Sequence, residues 1–150
     1  MDIMTSYADL VFEAGNYFAY CAADELIYYV DAELDTEQGR LALLHEVSHA
    51  LLGHFNYGSD FELLVMEAQA WHKTKQLAPR FELDIQDDYI GYCIDTYDQW
   101  LTRRATCPKC ANFCLQRAEN SFSCFMCGCR WEVGQERSQK VVISIIENAT

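Results

Sequence analysis

Leu41 to His54 reads LALLHEVSHALLGH, and its centre, His45-Glu46-Val47-Ser48-His49, is an H-E-x-x-H motif. On an α-helix, residues four apart lie on one face. The spacing therefore aims the His45 and His49 imidazoles at one point, where a single zinc ion can be held. Glu46 sits one position on, off that face. It is placed to hold a water beside the ion, not to ligate the ion itself. The surrounding Leu41, Ala42, Leu43, Leu44, Val47, Ala50, Leu51 and Leu52 are apolar on nearly every side, which predicts a buried helix. Two histidines and a glutamate inside such a helix are costly unless paired or ligated. Without a metal each needs its own partner, whereas one ion satisfies both histidines together.

Working outward, Asp35-Thr36-Glu37-Gln38 opens the helix: Asp35 and Gln38 have capping-box spacing, and Thr36 is a second cap candidate. Gly53 suits a left-handed C-terminal residue. His54 falls five residues past His49, at the helix end, and is expected behind the site or on the surface. Upstream, Tyr17 to Cys21 and Leu26 to Val30 are aromatic and β-branched runs that predict two strands, a hairpin. Residues 3–14 carry a helical apolar stripe that Gly15 can end. Downstream, Ser59-Asp60-Phe61-Glu62 is another capping box, predicting a helix over 60–77 closed by Pro79. A further helix is expected over 84–101.

A catalytic zinc takes three protein ligands and leaves a position for water. Glu67, mid-helix among small and apolar neighbours, is the chosen third ligand, because an unligated carboxylate there is costly. His72 and Glu62 are the substitutes.

The segment LIYYVDAELDTEQGRLALLHEVSHALLGH, followed by a later helix with Glu67-Ala68-Gln69-Ala70-Trp71, resembles the ImmA/IrrE family of zinc metallopeptidases. The likeness covers about Val11 to Trp100. The resemblance implies zinc ligation by His45, His49 and Glu67, with Glu46 as general base. It also implies a protein substrate, such as a helix-turn-helix repressor of a phage or mobile element. Family members often carry an acidic residue two before the ligand glutamate and close that helix with Met-Pro; here Val65 and Leu77-Ala78-Pro79 stand there. A metzincin would need Gly at 52 and His at 55, where this chain has Leu52 and Phe55.

From Thr106 the composition changes. Cys107-Pro108-Lys109-Cys110 and Cys124-Phe125-Met126-Cys127 are two C-x-x-C knuckles. Four thiolates at this spacing predict a tetrahedral structural zinc site with no open position. Gly128 permits the tight turn after the second knuckle. Strands are expected within 112–119, 121–124 and 130–133, and over Val141 to Ile146. So small a module takes its folding energy from the metal. Cys114 and Cys129 are left over; Cys129 is an alternative to Cys127, and redox chemistry is the other use for these thiols.

The chain has 150 residues, 51% of them hydrophobic and two of them Pro, which argues for folded rather than disordered structure. No apolar run can span a bilayer, and the acidic N-terminus has no secretory pattern, so a cytoplasmic location is expected and the eight Cys read as ligands or free thiols. Residues 1–102 carry net −15 and residues 103–140 net +4. An acidic body is a poor nucleic-acid binder, and so weak a basic surplus predicts no tight DNA binding.

The expected architecture is α+β: a small helical zincin-type metallopeptidase domain with a short hairpin or sheet, 1–102, then a zinc ribbon with a C-terminal strand, 103–150. The expected function is zinc-dependent cleavage of a protein substrate, with one catalytic and one structural Zn2+. The alternatives are a SprT-like protease acting on DNA-associated proteins, which looks for a third histidine and would have to use His72, and a non-catalytic zinc-stabilised binding module.

Overall fold

The computed structural model describes residues 2–135 and 141–146. Among these the protein is α+β, with four α-helices and two small sheets. The chain divides into two compact units, Met1–Asn56 with Val65–Gly91 and Tyr57–Leu64 with Tyr92–Thr150. The second unit thus takes in residues 57–64 and 92–102 as well as the cysteine-rich segment.

In the first unit, the helix expected over 3–14 stops early. Helix α1 spans only Ile3–Ser6, capped by the Asp2 carboxylate, which accepts from Thr5 N–H at 2.8 Å. Strand β1, Val11–Ala14, follows and pairs in parallel with β3, Leu26–Tyr29. The apolar stripe misled here because Val11 and Phe12 suit a pleated strand as well as a helix. Strand β2, Ala19–Cys21, pairs antiparallel with β3 in the expected hairpin. The order β1-β3-β2 leaves β2 at an edge. Ile27, at the centre of β3, is fully buried.

Helix α2, Glu37–Leu51, packs on β2, β3 and α1. Thr36 is its cap: its hydroxyl accepts from Gly39 N–H at 3.0 Å. Gly39 itself is required by space, since a Cβ there would meet the Glu33 carbonyl oxygen at 2.1 Å. Leu41, Leu43, Leu44 and Val47 are buried, while Leu51 and Leu52 near the C-terminal end are exposed. The end is a Schellman closure. Gly53 has φ +63°, its N–H donates to Ala50 O at 3.1 Å, and His54 N–H donates to His49 O at 3.1 Å.

Helix α3, Asp60–Leu77, has the predicted bounds. Its capping box is half formed: Glu62 N–H donates to the Ser59 hydroxyl, but the Glu62 carboxylate takes the N–H of Gly58 rather than that of Ser59. Within the first unit α3 meets α2 through a buried hydroxyl pair, Ser48 and Thr74, 3.0 Å apart. Pro79 lies in a 3₁₀ turn, Ala78–Phe81, whose Phe81 carbonyl accepts from the Arg40 guanidinium at 2.7 Å. Helix α4, Asp87–Ala105, runs four residues beyond the expected end.

In the second unit, β4 (Gln116–Ala118), β5 (Ser121–Ser123), β6 (Arg130–Val133) and β7 (Ile143–Ile146) form an antiparallel sheet in that order. Trp131 is fully buried, stacks on Phe122 at 5.6 Å and donates its indole N–H to Arg104 O at 2.9 Å. Arg104 is buried too. Its guanidinium donates to both oxygens of Asp60, at 2.7 and 3.1 Å, and to Asn120 Oδ1, and it lies 4.3 Å over the Trp100 ring. Nothing in the sequence pattern marked this ion pair.

Candidate metal centres

The H-E-x-x-H spacing on α2 does bring His45 and His49 to one point, and α3 delivers Glu67 to it. His45 Nε2 is 3.1 Å from His49 Nε2 and 3.1 Å from Glu67 Oε2; His49 Nε2 is 3.5 Å from Glu67 Oε1. All three side chains are buried. Two ring nitrogens so close can share at most one proton, so hydrogen bonding alone satisfies the trio poorly. The edges of a tetrahedron drawn around zinc at its usual bond lengths are about 3.3 Å, which matches these separations. The donor set, two neutral imidazoles and a carboxylate, is one that holds a divalent transition metal.

Burial by itself would raise the Glu67 carboxyl, but the hydrogen bonds and charges of His45 and His49 outweigh it and hold the group well below the ordinary carboxylate range. The His45 ring is set by stacking on Trp71, with centroids 4.1 Å apart, and Trp71 is in turn met edge-on by Tyr89. His45 Nδ1 and Trp71 Nε1 are buried with no hydrogen-bond partner among the described residues.

Glu46 lies off this cluster, as its helical position requires. Its carboxylate accepts the backbone N–H of Tyr20, on edge strand β2, at 2.7 Å. A backbone donor such as the Tyr20 N–H has no sequence signature, so this contact was invisible in the sequence. His54 and Gln69 were not recognised as a pair. His49 Nδ1 is 2.8 Å from His54 Nδ1, and His54 Nε2 is 3.1 Å from Gln69 Oε1. Burial lowers the pKa of His54. His54 and Gln69 also line an open cleft of about 710 Å³ together with Leu52, Val65, Ala68 and His72.

The substitutes for Glu67 lie elsewhere. His72 is exposed, with Nε2 3.0 Å from the Gln76 amide, and Glu62 is engaged by Gly58.

The second cluster is Cys107, Cys110, Cys124 and Cys127, whose sulfurs all lie within 4.8 Å of one another. Cys107 and Cys127 sulfurs are 3.6 Å apart, Cys110 and Cys124 sulfurs 3.4 Å apart. A tetrahedral zinc–thiolate site has sulfur–sulfur edges of about 3.8 Å, so the cage is of metal-binding size. The two knuckles repeat one backbone design. Ala111 N–H donates to Cys107 O and Gly128 N–H to Cys124 O, both at 2.9 Å. Cys107 N–H donates to Asn112 O at 2.9 Å and Cys124 N–H to Cys129 O at 2.8 Å. Ala111 and Gly128 occupy the same left-handed position, at φ +59° and +71°. Gly128 is legible in the sequence as the residue of a tight turn; Ala111 is not, because alanine does not advertise that conformation.

In this repeat Cys129 matches Asn112, outside the sulfur cage. Burial raises the thiols of Cys129 and Cys114, the latter to about 11. Both therefore stay protonated near neutral pH, unlike reactive redox thiols. Without a metal the cage thiols diverge: Cys124 is lowered to about 6, chiefly by the backbone N–H of Cys127 and despite burial, whereas Cys127 is raised to about 12 against the backbone N–H of Cys129, by burial and the neighbouring sulfurs.

None of the family models, curated proteins or solved structures compared with this chain matches it. Among the described residues, no helix is long and apolar enough to cross a membrane.

Proposed function

We propose that the protein is a zinc-dependent peptidase that cleaves a protein substrate, with a second zinc held structurally by the four cysteines. The observation that carries this reading is the convergence of His45, His49 and Glu67 with Glu46 on the same helix but outside the ligand group. His45, His49 and Glu67 would hold the catalytic ion. When bound there, zinc would supply Lewis acidity toward the scissile carbonyl and lower the pKa of water at the site. Glu46 would take the proton of the attacking water and return it to the leaving amine. The N–H of Tyr20 holds the Glu46 carboxylate at 2.7 Å, on the side of the β2 edge. Cys107, Cys110, Cys124 and Cys127 would brace the second unit without chemistry.

The substrate we infer is a helix-turn-helix repressor of a phage or mobile element in the cytoplasm, as the ImmA/IrrE resemblance implies. Placement of Glu67 rather than His72 beside the two histidines favours this reading over a SprT-like one. The test is a pair of variants. Glu46→Gln should keep two zinc ions per chain by elemental analysis and lose cleavage by about 10²–10⁴-fold. His45→Ala should lose one zinc and all cleavage. Undiminished cleavage by Glu46→Gln would remove the general-base assignment. Two zinc ions with no cleavage of repressors or unfolded proteins by the parent chain would favour a binding module.

A further inference from the structure

We propose that His54 is a positioning residue for the metal centre: it accepts the Nδ1–H of His49 and donates its own Nε2–H to Gln69, which locks His49 in the tautomer whose Nε2 lone pair faces the ion. This rests on the reading of His45, His49 and Glu67 as ligands.

The placement follows from how α2 ends. Gly53 in the left-handed region lets the His54 N–H return to the His49 carbonyl at 3.1 Å. In a Schellman closure the residue after the glycine commonly makes an apolar contact with the last turn. Here the residue that returns is a histidine, and the one it meets is the ligand His49, with ring centroids 4.9 Å apart. The two Nδ1 atoms, 2.8 Å apart, form a hydrogen bond with one donor and one acceptor.

The direction of that bond matters. If His54 donates, the His49 proton sits on Nε2, aimed at His45 and Glu67, and the nitrogen is blocked as a ligand. If His49 donates, its Nε2 is free for metal. His54 must then carry its proton on Nε2, and its partner must accept. Gln69 offers an amide oxygen 3.1 Å away. Each atom in the series Gln69, His54, His49 thus has a single assignment compatible with metal at His49. Partners of this kind fix ring orientation and tautomer at metal sites, and removing one typically weakens metal affinity 10–100-fold. Gln69 is two residues from Glu67, so α3 supplies both a ligand and the anchor of the relay.

The test measures zinc affinity of the full chain by chelator competition, following the zinc class that His45→Ala abolishes. His54→Ala should weaken that class 10–100-fold and leave the cysteine-bound class unchanged. His54→Gln, whose amide can accept from His49 and donate to Gln69, should recover most of the loss. Long-range proton–nitrogen NMR of the zinc-loaded parent chain should show His49 protonated at Nδ1 and His54 at Nε2, a readout that needs no variant to fold. Affinity within twofold of the parent in His54→Ala overturns the proposal. So does an equal loss in the Ala and Gln variants, or His54 protonated at Nδ1. If the parent chain has no zinc class that His45→Ala removes, the metal-centre reading fails first and takes the relay with it.

Discussion

Glu46 and Glu67 are both carboxylates on the two helices that build the candidate site, and they are held in different ways. Glu67 reaches the His45 and His49 Nε2 atoms, while Glu46 is held by a strand N–H. The depressed Glu67 carboxyl has a consequence for the metal-free chain. Its folded pKa lies below the ordinary value of 4.5, so its contribution to stability is present above pH about 4.5 and lost as pH falls toward the folded value. Thermal unfolding of chelator-treated protein should show melting temperature dropping below pH about 4.5, with a shallower drop in Glu67→Gln. A second residue-scale expectation concerns Arg104. Arg104→Ala leaves the Asp60 carboxylate buried without its cation and should cost about 3–5 kcal/mol in urea unfolding followed by tryptophan fluorescence.

At the scale of elements, the two knuckles form a natural comparison. Ala111 and Gly128 share one left-handed backbone position, where a Cβ costs about 1–2 kcal/mol and glycine costs little. Nothing lies within 4 Å of a Cβ built on Gly128, so the penalty there is purely conformational. Ala111→Gly should therefore stabilise the zinc-loaded protein by about 1 kcal/mol, and Gly128→Ala should destabilise it by a similar amount. Opposite shifts in melting temperature would bear this out; shifts of the same sign would show that something other than backbone conformation controls the knuckles. Helix α2 shows the same reliance on local chemistry. Thr36 and Gly39 start it and Gly53 ends it, which sets where His45, His49 and His54 fall around its axis.

At the scale of the whole molecule, each unit holds one candidate centre: His45, His49 and Glu67 in the first, the four cysteines in the second. Among the described residues, the buried cluster of the cysteine-rich sheet is half cysteine, with Ala105, Phe122, Trp131 and Val133 as its other members, so metal should carry much of that sheet's stability. Cys107→Ser with Cys110→Ser should unfold the cysteine-rich sheet while zinc at His45 and His49 stays bound, giving one zinc per chain by elemental analysis. Loss of both zincs would mean that the two centres are energetically coupled.

The sequence by itself determined what depends on local spacing. H-E-x-x-H on a capped helix puts two imidazoles on one face whatever surrounds it, and two C-x-x-C turns preorganise pairs of thiols. The bounds of α3 were also legible, because the Ser59 cap and Pro79 act within a turn. Tertiary structure decided what depends on residues distant along the chain. The placement of Glu67 rather than His72 beside His45 and His49 came down to which face of α3 meets α2, since both residues sit on the same helix five positions apart. The recruitment of Tyr20 N–H by Glu46 required β2 to lie at the sheet edge. Strand β1 formed because β3 offered it a parallel partner, overriding a stripe that fitted a helix equally well. The Arg104–Asp60 pair, 44 residues apart in the chain, became an interaction only when burial left each charge no better partner.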